Sequence, residues 1–199
     1  MAKGFNKAEW PEKLIWILES KSVQERPCVF LSHKKEDKSE CRKIAEYFKN
    51  AEIDYYLDEL DVALQDAASS GDPTKITESI KKGIRESSHM LVVVSEKTYK
   101  SHWVPFEVGY GHAAIVDKNL DEKDKVDKIR LSILTLKDIS EKSLPDFMQV
   151  GNIIRGTKSL NKYISDISGR LEKSLINESR LFSNSLLRHP LDDVLNWQL

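Results

Sequence analysis

The sequence predicts an α/β protein, with a parallel sheet of five strands covered by helices on both faces. Three observations carry that reading. Short apolar runs alternate with helix-forming stretches along the chain. The runs lack polar alternation, as strands covered on both faces do. With 199 residues, the chain has the length of one ordinary domain with a core of its own.

The elements follow in order. An extra N-terminal helix is expected over 7–22, where Trp10, Leu14, Ile17 and Leu18 recur at helical spacing and Pro11 suits a first turn. Arg26-Pro27 breaks it. Residues 28–31 form strand one, and 36–50 a helix with Ile44, Ala45, Tyr47 and Phe48 inward. Residues 53–57 form strand two. Residues 59–73, with Ala63, Ala67, Ala68, Ser69, Ser70, Gly71 and Pro73, show no stable apolar period. They read as a long mobile loop that gates a site or makes an assembly contact. Asp72-Pro73-Thr74 opens a helix carrying Ile76, Ile80 and Ile84. Strand three is 89–94. A helix over 102–117 follows, with Ser101 as N-cap and Pro105 in its first turn. Residues 117–128 are a solvated surface loop. Strand four is 129–136, and a weaker fifth lies around 148–154. A helix over 157–175 carries Leu160, Ile164, Ile167 and Leu171. A shorter helix and an apolar tail, Val194 to Trp197, make a C-terminal helical extension. The divisions are thus 1–26, 27–175 and 176–199.

Composition narrows the function. The chain is 40% hydrophobic and 32% charged, with net charge -1, so it has no general attraction to nucleic acid or anionic membrane. The longest apolar run, 90–94, is far short of the ~20 residues of a membrane helix, and the N-terminus lacks a signal-peptide core. Two cysteines, Cys28 and Cys41, fit buried thiols in a reducing cytoplasm better than a disulfide. There is no Gly-x-Gly-x-x-Gly, Walker loop, zinc spacing or Gly-x-Ser-x-Gly elbow. Strand three ends in Val94-Ser95-Glu96-Lys97, without the acceptor aspartate of a receiver domain.

In such sheets the site lies at the carboxyl ends of the strands, here 32–37, 58–73 and 95–107. Within the last stands Glu107, an acid in a run of aromatic, branched and small residues. Trp103 lies four residues before it, one helical turn away. Tyr110, Gly111 and Ala114 extend that stripe and leave space beside the acid, while Val104, Val108, Ile115 and Val116 suit the sheet. Two readings stand open. Glu107 pairs with a Lys or Arg, or caps a backbone group. Alternatively it stabilises positive charge on a sugar as an N-glycosidic bond breaks, with an indole against the flat base. A departing group that is already cationic, such as nicotinamide, needs no acid, so one carboxylate suffices.

Other residues are less decided. His33 is an exposed loop residue or a phosphate or ribose contact. His102 is a polar helix start or a substrate contact, and His112 is structural. Lys34, Lys35 and Lys38 are solvated or meet a pyrophosphate. Gly109 and Gly111 weaken a helix, which implies close packing or a ligand.

The segment Ile84-x-x-Ser87-Ser88-x-Met90-x-Val92-Val93-Val94-Ser95-x-x-x-Tyr99-x-Ser101-x-Trp103-Val104-x-x-Glu107 resembles the central part of TIR domains. Phe30-Leu31-Ser32-His33-x-x-x-Asp37 resembles their first motif. The resemblance covers roughly 27–175 and is densest over 80–108. It implies a flavodoxin-like sheet. Some members of the family are adaptors that bind other TIR domains. Others, many of them bacterial, cleave NAD at the nicotinamide–ribose bond with the Glu that Glu107 matches. Among the latter, stand-alone proteins of antiphage systems such as Thoeris make signalling derivatives of ADP-ribose.

By this resemblance Trp103 lines the nicotinamide side, with Phe106 beside it. Ser32, His33 and Lys35 face the nucleotide, and Asp58 is a further candidate. NAD is then substrate, and no cofactor or metal is implied. The implied partners are other copies, through TIR–TIR contacts, and a separate effector that reads the product. The TIR-like region leaves no room on this chain for a sensor, which favours a diffusible messenger. The departures weigh against the adaptor reading. No acidic residue precedes strand one, 59–73 lacks Arg-Asp-x-x-Pro-Gly, and no Phe-Trp box stands near the end. The alternatives are a non-catalytic TIR interaction or scaffold module, and a nucleoside or deoxyribonucleotide base transferase on a related fold.

Overall fold

The computed structural model describes residues 3–9, 26–117, 128–137, 139, 144–169 and 189–196. Its sheet consists of β1 (Cys28–Ser32), β2 (Asp54–Tyr56), β3 (His89–Val94), β4 (Leu131–Thr135) and β5 (Asn152–Ile154). All pairings are parallel, in the order β2-β1-β3-β4-β5. This is the flavodoxin-like arrangement, whose strand order reverses between β1 and β3. Connections leave those two strands toward opposite sides, so a crevice opens at their carboxyl ends. Five α-helices are described: α1 (Lys38–Asn50), α2 (Val62–Ser70), α3 (Pro73–Arg85), α4 (Trp103–Gly111) and α5 (Thr157–Ser168).

The strands are apolar throughout because both faces are covered. Successive strand side chains point to opposite faces. Val29, Leu31, Leu91, Val93 and Leu134 meet Ile44, Phe48, Leu160 and Tyr163 of α1 and α5. Phe30, Met90, Val92, Val94 and Ile133 meet Ile80 and Ile84 of α3 and Val104 and Val108 of α4. Cys28 and Cys41 are free and buried, and desolvation raises both thiol pKa values, that of Cys28 to about 12. No described helix is long and apolar enough to cross a membrane.

Segments near the two chain ends lie against the sheet's two outer strands. At β2, the Tyr55 N–H donates to Phe5 O at 3.1 Å, and the Phe5 N–H donates to Asp54 Oδ1 at 3.2 Å. Asn6, 3% exposed, uses its amide as a substitute strand: Oδ1 accepts from the Leu57 N–H at 3.0 Å and Nδ2 donates to Leu57 O at 3.2 Å. An edge strand closed in this way offers no template to another chain. Beyond β5, Gly156 pairs with Asn196, and Leu191, Val194 and Leu195 join the core. His189 is buried against Tyr47 and Asn161, and its burial lowers its pKa to about 4.

Several expectations need correction. Residues 59–73 are not a loop. A 3-10 turn, Asp58–Leu60, leads into α2. The Asp61 carboxylate caps α2 by accepting from the Leu64 N–H at 3.1 Å, and Gly71, at φ 64°, ends it. Alanines favour helix without an apolar stripe, and α2 buries only Ala67 among its residues. The helix expected over 102–117 is α-helical only through Gly111; His112–Val116 is a π-helix. The helix expected to reach 175 stops at Ser168, with Gly169 in the left-handed region. Residues 129 and 130 belong to a 3-10 turn before β4. Lys7–Glu9 is likewise a 3-10 turn. The rest of the N-terminal helix, the loop over 118–127 and the C-terminal helix lie outside the described residues.

Asn6→Ala removes both partners of a buried peptide group. It is expected to lower the unfolding free energy by about 1–3 kcal/mol, read as a lower urea midpoint. An unchanged midpoint contradicts the edge-closing role.

Candidate active site

Ser32 ends β1 and points to the same face as Phe30, toward α4. That helix lies close to the sheet because Gly111 has no side chain; a Cβ there would stand 2.3 Å from Met90 Sδ. Val104 and Val108 are buried against the strands, and Glu107 lies in the same buried part of the helix. Its Oε2 accepts a hydrogen bond from Ser32 Oγ at 2.5 Å. Ser32 is 1% exposed and Glu107 6%.

Among the described residues no Lys, Arg or His pairs with Glu107. A buried carboxylate without a cation resists ionisation. Burial raises the Glu107 pKa to about 7; the Ser32 hydrogen bond lowers it and the negative charge of Asp58 raises it. Asp58 is half-buried and opens the turn after β2. Of the expected residues, Ser32 at the end of β1 thus acts on Glu107 through a hydrogen bond, and Asp58 after β2 through its charge.

The others are disposed differently. Trp103 is 39% exposed at the start of α4, its ring edge-on to Phe106 at 6.0 Å between centroids. Phe106 is half-buried and stacks on Tyr110 at 6.1 Å. Arg85 Nη1 donates to the Tyr110 hydroxyl at 2.9 Å. Trp103, Phe106 and Tyr110 thus form an aromatic row along α4. His33 turns back to its own strand, its Nδ1 3.1 Å from Leu31 O. Lys35 is exposed, and Lys34 Nζ donates to Lys100 O at 3.3 Å. Hydrogen bonds join neither His33 nor Lys35 to Glu107. His112 pairs with Asp117 at 3.3 Å.

Gly111 does not open space beside the acid as expected. It lies against Met90, the close-packing alternative, whereas Gly109 on the same helix faces open space. Ser101 acts as foreseen, its hydroxyl accepting from the Val104 N–H at 3.2 Å. Among the described residues no three His, Cys, Asp or Glu side chains gather as metal ligands.

The strand order and a switch-point carboxylate define the class, a flavodoxin-like α/β protein with its candidate chemistry above β1 and β3. Residues 29–144, more than half of the chain, match the TIR domain family, and the chain belongs to it. It is also 32% identical over 105 residues to a Cytobacillus dafuensis protein named "Putative cyclic ADP-D-ribose synthase TIR2". That match takes in 50% of this chain and 27% of the relative.

The raised pKa has a consequence for stability. Unfolded, Glu107 ionises near the ordinary value of 4.5; folded, it does so near 7. Between those values the folded chain binds the extra proton, so this group's contribution to stability falls as pH rises and is gone above about 7. Glu107→Gln carries no such dependence. It is expected to be more stable than the wild type at pH ~8, by up to about 3 kcal/mol, with the gain fading toward pH ~4. Urea unfolding at the two pH values measures this; a difference independent of pH contradicts it.

Proposed function

We propose that this chain cleaves the nicotinamide–ribose bond of NAD and passes the ribosyl group to a held acceptor. The product is then a cyclic or otherwise modified ADP-ribose, serving as a signal in bacterial antiphage defence. The observation that carries the proposal is Glu107, a buried carboxylate at the switch point with a hydroxyl partner and, among the described residues, no cation paired with it. Family membership and the printed name of the relative support it.

In this account the C–N bond breaks with both electrons leaving on nicotinamide, which departs neutral. The ribose carries positive charge, which ionised Glu107 stabilises. Ser32 holds the carboxylate in place, and Trp103 and Phe106 offer aromatic faces to the flat ring. The acceptor forms the new bond to the ribose carbon and releases a proton. Where water is kept out, an atom of the bound nucleotide is favoured over hydrolysis. Self-association through TIR–TIR contacts, a cytoplasmic setting and a separate protein that reads the product belong to the same proposal.

Incubation with NAD tests it. Nicotinamide release is expected to rise with pH through about 7, as Glu107 ionises. Glu107→Gln, with the fold intact, is expected to lower release roughly 100- to 1,000-fold. Full activity in the Gln variant removes Glu107 from the chemistry. No turnover of NAD at any protein concentration favours an interaction module, and base release from nucleosides or nucleotides alone favours the base transferase.

A further inference from the structure

Asp37 stands at the N-cap position of α1 yet makes no side-chain cap. An aspartate there ordinarily accepts from the first N–H groups of its helix. The 3-10 turn Lys35–Asp37 runs straight into α1, and both carboxylate oxygens face another loop. Oδ2 accepts from Ser95 Oγ at 2.6 Å, and Oδ1 from Lys97 Nζ at 3.2 Å. Asp37 is 1% exposed and Ser95 is also buried, where a lost partner costs most.

These two loops leave β1 and β3, the strands that define the crevice. Two further ties join them: Lys97 Nζ donates to Glu36 O at 3.3 Å, and Lys34 Nζ to Lys100 O at 3.3 Å. Within the second loop, Ser95 Oγ accepts from the Lys97 N–H at 3.1 Å. Thr98 Oγ1 accepts from the Ser95 N–H at 2.9 Å. The turn Thr98–Lys100 leads to Ser101, whose hydroxyl caps α4. Hydrogen bonds thus run from Asp37 almost to the helix that carries Glu107. The Ser32–Glu107 hydrogen bond joins the end of β1 to α4, the two elements whose adjoining loops Asp37 fastens together.

We propose that Asp37 is a positioning residue of the site, giving up the cap of its own helix to lock the loop after β1 to the loop after β3 and so fix where α4 presents Glu107 to Ser32. The proposal rests on Glu107 being the reacting carboxylate. The test combines kinetics with amide hydrogen exchange on Asp37→Ala, Ser95→Ala and the double variant. Asp37→Ala is expected to lower kcat for nicotinamide release roughly 10- to 100-fold, with KM changed less than about threefold. Exchange over 95–104 is expected to speed up roughly tenfold or more while strand amides and the first turn of α1 keep their protection. Ser95→Ala is expected to share both effects, and the double variant to be little worse than Asp37→Ala.

Unchanged kcat with unchanged exchange over 95–104 overturns the proposal. Faster exchange confined to the start of α1 does so too, because it marks an ordinary cap. If Asp37→Ala fails to fold, Asp37→Asn, which keeps an acceptor for Ser95 and loses the charge facing Lys97, is expected to show the same pattern at smaller size; its absence counts against the proposal. If the wild type releases no nicotinamide, the functional reading fails, and the exchange pattern alone decides the positioning role.

Discussion

A carboxylate held inside an α/β core with a hydroxyl for company is the costly feature of this molecule, and much of the surrounding structure bears on it. Burial opposes ionisation, and Ser32 offsets part of that opposition with one short hydrogen bond. The contact exists because β1 ends in a serine facing α4 and because α4 lies close enough to the sheet. Gly111 against Met90 sets that closeness. A larger residue at 111 would require the Met90 side chain or the helix that carries the acid to shift.

A buried acid without a cation beside it is costly, and the scaffold around it is held in place at several levels. The sheet is packed on both faces, so β1 and β3 have little freedom to shift. The segment around Asn6 closes the edge of β2, next to the turn that begins with Asp58. The segment around Asn196 joins the end of β5. Asp37 and Ser95 bind the two loops above the crevice. Asp58 works in the opposite sense: its charge makes Glu107 harder to ionise.

Much of the fold was legible because its signals are local. Apolar runs without alternation marked doubly covered strands, and Asp72-Pro73 marked the start of α3. Glu107 stood out by residue type alone. What escaped was set by distant partners or by weak periodicity. Helix α2 was missed because alanines carry helix propensity without an apolar stripe, although Asp61 and Gly71 are caps that could have revealed it. The role of Gly111 depends on Met90 in another element. Asn6 is an ordinary polar residue until β2 needs an edge partner. Asp37 was visible in the first motif, but its partners Ser95 and Lys97 lie about sixty residues away. Trp103 was placed on the acid's face by spacing, whereas its ring meets Phe106 at the surface.

Glu107 is a buried carboxyl poised near neutrality, and among the described residues no cation pairs with it. Carboxyl-labelled glutamate, assigned by comparison with Glu107→Gln, lets its ionisation be followed directly by NMR as pH is raised. A midpoint near 7 is expected for this one residue. A midpoint at the ordinary 4.5 or below would show a carboxylate that is solvated or paired, and would contradict it.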